Sequence, residues 1–100
     1  MDNYRVKMSP QAFRDLDQIY AYIAGHLLEP LIAENLENEI RTAILSLDEM
    51  PYRGAERRIC RFAGMGYRRL FVKNYTIVYR IREEEKEVVI VTVRYSPSDF

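Results

Sequence analysis

At 100 residues, with 48% hydrophobic and 30% charged side chains, the chain is expected to form a single domain over 1–100 and is unlike the disordered, collagen-like or low-complexity classes. No apolar run approaches the roughly 18 to 20 residues that span a bilayer, and the opening stretch MDNYRVKMS lacks the apolar core of a signal peptide, so a cytoplasmic protein without membrane contact is expected. Formal net charge is zero, yet residues 1–54 hold five Lys/Arg against nine Asp/Glu, while residues 55–100 hold ten against six.

Tyr4, Val6 and Met8 alternate with Arg5 and Lys7, the period of two of a half-buried strand. Ser9-Pro10 then signals a helix start, because the hydroxyl caps free N–H groups and proline fits the first helical position. Ala12, Phe13, Leu16, Ile19, Tyr20 and Ile23 recur at spacings of three and four, which predicts one apolar stripe with Arg14, Asp15, Asp17 and Gln18 outside. Gly25 marks the expected end. A second helix is predicted from near Pro30, carrying Leu36, Ile40, Ala43, Ile44 and Leu47 on one face, with Glu34, Glu37, Asn38 and Arg41 in water and Met50-Pro51 as the stop.

Strands are predicted at about 57–63, 67–73, 75–82 and 87–95, divided by Gly64-Met65-Gly66, by a tight turn at Lys73-Asn74 and by the polar run Glu83 to Glu87. Alternation puts Tyr75, Ile77, Tyr79 and Ile81 on one face and Thr76, Val78, Arg80 and Arg82 on the other. The run Val88 to Val93 is apolar on both faces, which suits an interior strand. The predicted fold is therefore α+β: an N-terminal strand and an antiparallel helical hairpin packed on a C-terminal antiparallel β-meander.

Between Arg57 and Arg82 eight basic residues (Arg57, Arg58, Arg61, Arg68, Arg69, Lys73, Arg80, Arg82) occur without an acid. Seven are arginine, whose planar fork suits phosphate or carboxylate. Such a sheet predicts an anionic partner, either nucleic acid or an acidic protein segment, and the alternative is a solvated face balanced by the acidic helices.

Conventional catalytic sets are missing from the sequence. His26 is the only histidine and falls in the predicted link between helices, where an ordinary loop residue is expected. Cys60 is the only cysteine, which excludes an intramolecular disulfide and a cysteine metal cluster and suits a small buried strand residue. No metal or cofactor is expected. One catalytic route is compatible with what is present: RNA cleavage through its own 2′-hydroxyl, which needs only a base, an acid and cations on the phosphate. Arginines supply the cations, and Tyr95, Tyr75, Tyr79, Glu56 and Asp99 are the candidates for proton transfer.

The order of elements resembles the RelE/ParE superfamily of bacterial toxins from type II toxin-antitoxin systems. The resemblance rests on Ser9-Pro10-Gln11-Ala12, on Asp15-Leu16 and Ile19 to Ile23, on Leu47, Met50-Pro51 and Gly54, and above all on Tyr67 to Ile81. It implies a growth-inhibiting toxin held by a cognate antitoxin whose C-terminal segment wraps it, with operator DNA bound only through the antitoxin, and a role of the plasmid-stabilisation type. The superfamily contains ribosome-dependent mRNA endonucleases and ParE-like poisons of DNA gyrase. Thr76 stands where YoeB-like nucleases have arginine, and Ser96-Pro97 follows Arg94-Tyr95 where a catalytic His-Tyr end is expected. The stretch Asn74-Tyr75-Thr76-Ile77-Val78-Tyr79-Arg80 looks more like ParE. The resemblance thus favours a non-nucleolytic gyrase poison, with the basic stretch named above as its target- or antitoxin-binding surface. The alternative is an mRNA interferase, for which Arg68, Arg69, Arg80, Arg94 and Tyr95 are the catalytic candidates. Under either reading, reversing Arg68 or Arg69 to glutamate is expected to weaken toxicity with the fold intact.

Overall fold

A computed structural model describes residues 3–56 and 67–95. The chain runs β1 (Arg5–Met8), α1 (Pro10–Ala21, continued by a π turn, Tyr22–His26), α2 (Pro30–Leu45, followed by a 3₁₀ turn, Ser46–Asp48), β2 (Ala55–Glu56), β3 (Tyr67–Val72), β4 (Tyr75–Arg82) and β5 (Glu87–Tyr95). The five strands form one sheet in the order β1-β5-β4-β3-β2. Strands β3, β4 and β5 make the antiparallel meander, and β1 joins it in parallel along β5.

The local signals act as their chemistry dictates. Ser9 caps α1, its Oγ accepting from Ala12 N at 3.0 Å while also donating to Val91 O at 2.8 Å. One side chain thus starts the helix and ties it to the sheet. The Lys73-Asn74 turn closes β3 onto β4 with Lys73 at φ 52°, a left-handed position. The helical link differs from expectation. Gly25 lies inside the π turn, and the left-handed residue before α2 is Leu28, at φ 56°.

The core lies between the helical hairpin and one face of the sheet. Its fully buried side chains are Ile40 and Leu47 from the helical segment and Ile77, Tyr79, Val88 and Ile90 from the strands, each large aliphatic contributing about 1.5–3 kcal/mol by leaving water. Ala12, Leu16 and Ile23 of the predicted α1 stripe are buried, but Phe13 is 57% exposed and Tyr20 is exposed as well. Both sit one position round the helix from the buried row, on a flank turned away from the sheet.

Strand β5 carries an irregularity that the sequence pattern conceals. Val78 pairs with Thr92 but Tyr79 pairs with Ile90, so Val91 is an extra residue on β5. The bulge resets the alternation and lets Val88, Ile90 and Val93 all reach the core. It falls where β1 stops: Met8 is the last residue paired to β5, and Ser9 N donates to Ile90 O at 2.9 Å.

Candidate functional site

Register and alternation place Tyr67, Arg69 and Phe71 of β3, Arg80 of β4 and Arg94 of β5 on the sheet face opposite the helices. Tyr67 lies opposite Arg80, and Arg94 lies opposite Thr76. The Arg80 guanidinium stands 5.7 Å from the Tyr67 ring and that of Arg69 5.5 Å from the Phe71 ring. Cation and ring hold each other in place, leaving a surface of guanidinium groups held against aromatic rings. Thr76 and Val78 are buried, as is Thr92, which donates its hydroxyl to Asp15 of α1; the Thr76 hydroxyl has no hydrogen-bond partner among the described residues.

The basic stretch does not form one surface. Arg68 belongs to the helix-side face, where Nε donates to Gly54 O at 2.9 Å and Nη2 to Tyr52 O at 3.2 Å, with the guanidinium 5.1 Å from the Tyr52 ring. It braces the 52–54 turn and is half-buried, so the expectation that its reversal spares the fold is corrected. Acids absent from the local sequence arrive through the fold. Lys73 meets Glu39 of α2 at 3.5 Å, and Arg82 meets Glu85 and Glu87, each at 3.4 Å. Arg57, Arg58, Cys60, Arg61, Ser96 and Asp99 lie outside the described residues, and Glu56 is described only as a backbone position of β2.

The proton-transfer candidates are placed unequally. Tyr79 is fully buried; its hydroxyl donates to Pro51 O at 2.7 Å and accepts from Gly54 N at 3.0 Å. It is a structural strut. Tyr75 packs 5.3 Å from the ring of Tyr95, and burial, followed by the neighbouring phenols of Tyr95 and Tyr22, pushes its hydroxyl above the usual tyrosine range. Tyr95 is 62% exposed. His26 is exposed and stacks on Tyr22 at 5.2 Å.

Two features escaped the sequence reading. One is a cleft of about 630 Å³ between the hairpin and the β4–β5 end of the sheet, where Tyr22, Tyr75 and Tyr95 converge beside Asp15, Glu29 and Ile32. No periodicity links tyrosines 22, 75 and 95, which come from three separate elements. The other is a polar knot on the opposite end, where Tyr4 and Tyr52 both donate to the Glu83 carboxylate and Lys86 Nζ lies 3.2 Å from it. Those hydrogen bonds hold the Glu83 carboxyl down at about 2 and push the Tyr4 and Tyr52 hydroxyls up.

Among the described residues no helix is long and apolar enough to cross a membrane, and no group of three His, Cys, Asp or Glu is placed to hold a metal ion. The family model described as the ParE toxin of the type II toxin-antitoxin system parDE matches residues 6–100. No curated protein matches the chain. Among solved structures, the chain is similar to one from the chromosomal ParDE toxin-antitoxin system of P. aeruginosa, with TM-score 0.75 and 23% identity over 93% of this chain and 96% of that one. It is also similar to a chain of the RelBE2 toxin-antitoxin complex of Mycobacterium tuberculosis, with TM-score 0.66 and 28% identity over 98% and 97% of the two chains. The isolated E. coli RelE toxin shares the fold with TM-score 0.63 at 12% identity over 93% of this chain and 84% of that one.

Proposed function

We propose that this chain, which belongs to the ParE toxin family and is the toxin of a type II toxin-antitoxin system, works as a single cytoplasmic domain that stops growth by binding DNA gyrase without cleaving RNA. The observation that carries this reading is that the fold takes up two of the three candidate tyrosines, Tyr79 and Tyr75. RNA cleavage needs a group free to take a proton near neutral pH. Tyr79 is committed to Pro51 and Gly54, and the Tyr75 hydroxyl is held above its ordinary range by burial. What the outer face offers is cationic and aromatic contact from Arg69, Arg80 and Arg94, a surface for recognition. The match to the ParE family model supports the same choice.

In this reading the outer-face arginines meet the target or the antitoxin, and Arg57, Arg58 and Arg61 of the sequence are further candidates for that contact. A cognate antitoxin neutralises the chain, as in the relatives that are toxin-antitoxin complexes, and carries any contact with operator DNA. Such a toxin, with its antitoxin, serves in plasmid or locus stabilisation.

One observation favours an mRNA interferase instead: Arg69, Arg80 and Arg94 share a face, as phosphate contacts would require. Tyr95 would then take part in proton transfer. The deciding experiment is induction of the chain in bacteria, with gyrase supercoiling and mRNA integrity followed separately. Loss of supercoiling activity with intact mRNA is expected. Codon-positioned cuts in mRNA, with gyrase unaffected, would overturn the gyrase reading.

A further inference from the structure

The cleft between hairpin and sheet has a chemistry opposite to that of the outer face. Its walls are the rings of Tyr22, Tyr75 and Tyr95, its depth is aliphatic, and the charged groups lining it are Asp15 and Glu29, both acids. Tyr75 stays a neutral phenol, and its ring lies 5.3 Å from that of Tyr95. The Asp15 carboxylate already accepts from Gln11, Thr92 and Val93, so the carboxylate left for a ligand is that of Glu29. Aromatic faces beside it attract a cation with an apolar stem, as an arginine or lysine side chain has. At about 630 Å³ the space exceeds one side chain and admits apolar neighbours as well.

The hairpin tip beside the cleft is apolar. Leu27, Leu28, Leu31 and Ile32 lie at the mouth of the cleft or beside it and are all at least half exposed, Leu28 by 76%. A contiguous apolar patch of this kind is a liability in water unless something covers it lastingly. The geometry points to this cleft as a socket for one arginine or lysine of the antitoxin, presented by a segment whose large apolar side chains cover the leucines of the hairpin tip. The inference rests on the reading of the chain as an antitoxin-bound toxin. It adds that a basic anchor, drawn to the acidic lining of this cleft, fixes the register of that segment.

The test uses two synthetic amphipathic peptides that are identical except for one central position, arginine in one and norleucine in the other. Binding to the purified chain is followed by amide NMR, which also reports the fold of every variant. The arginine peptide should bind roughly tenfold more tightly, with shifts centred on the cleft. Glu29→Lys and Tyr95→Ala, both at exposed positions, should remove most of that preference, while Asp17→Lys on the outer flank of α1 should leave it unchanged. The complex with its cognate antitoxin should not bind the arginine peptide, because the cleft is filled. Equal binding of the two peptides, shifts on the outer sheet face, an unchanged preference in Glu29→Lys, or binding to the complex as strong as to the free chain would each overturn the inference. Gyrase takes no part in these measurements, so failure here leaves the target reading standing.

Discussion

Asp15 accepts the backbone N–H of Val93 at 3.1 Å through Oδ2, the same oxygen that receives the Thr92 hydroxyl. Strand β1 ends at Met8, and from there the edge of β5 is served by Ser9 and Asp15 in place of a strand. Burial pushes the Asp15 carboxyl up, but the hydrogen bonds from Thr92, Gln11 and Val93 outweigh it and hold the group below its ordinary value. Asp15→Ala leaves the part-buried Thr92 hydroxyl and Val93 N–H without their acceptor, an expected loss of roughly 1–3 kcal/mol. Urea unfolding should show that loss. Thr92→Val should cost less alone and add little to the Asp15→Ala variant, since both remove the same bond.

Gly54 and Tyr79 form a second coupled pair. A Cβ at position 54 would stand 2.6 Å from both Arg69 O and Tyr79 Oη, closer than real contacts allow. Gly54→Ala is therefore expected to cost several kcal/mol, on the scale of about 2–4. Tyr79→Phe should cost roughly 1–3 kcal/mol, because Gly54 N and Pro51 O lose their buried partner. The double variant should lose less than the sum, since removing the hydroxyl clears one of the two clashes. Thermal unfolding of the four proteins checks the cycle, and strict additivity would contradict the geometry.

Strands β1, β3, β4 and β5 and both helices were legible because their signals are local, while the strand expected over 57–63 lies outside the described residues. Ser9-Pro10 caps α1, Lys73-Asn74 turns the β3–β4 hairpin, and alternation over Tyr75 to Ile81 assigns the core face correctly. The stretch Tyr67 to Ile81 also carried the resemblance that the family match bears out. What stayed hidden depends on distance. An apolar run such as Val88 to Val93 looks the same with or without an extra residue, so the bulge at Val91 leaves no mark in the pattern. Asp15 looks like a solvent residue of α1 until β5 is laid beside it. Likewise the acid that meets Lys73 comes from Glu39, on another element, and charge counts along the chain do not register it.

Arg68 and Arg80 should separate structure from recognition. Arg68 donates to the carbonyls of Gly54 and Tyr52, so Arg68→Glu sets a carboxylate against those acceptors and is expected to lose roughly 2–3 kcal/mol. Arg80 is exposed, with its guanidinium near the Tyr67 ring, and Arg80→Glu should change stability by only about 0.5 kcal/mol. In growth assays both variants should be weakened, but only Arg80→Glu should be weak while fully folded by circular dichroism. Full toxicity in folded Arg80→Glu would remove the outer face from target recognition.

The knot around Glu83 predicts a specific acid response. Its carboxyl sits at about 2 in the folded chain against an ordinary 4.5, held there by the hydroxyls of Tyr4 and Tyr52 and by Lys86. A folded value below the unfolded one means that the native state binds the proton less readily. The knot's stabilisation is then complete above about pH 4.5 and is lost as pH falls toward 2. Glu83→Gln has no such charge to lose. Urea midpoints of this variant should lie below those of the parent at pH 6, and the two curves should draw together between about 4.5 and 2. Some slope should persist in the variant, because Asp15 and Glu87 are also held below their ordinary values. Parallel curves across that interval would mean that Tyr4 and Tyr52 do not hold Glu83 in solution. Tyr4 precedes β1, Tyr52 lies in the turn before β2 and Glu83 follows β4, so losing the knot would free three segments at once.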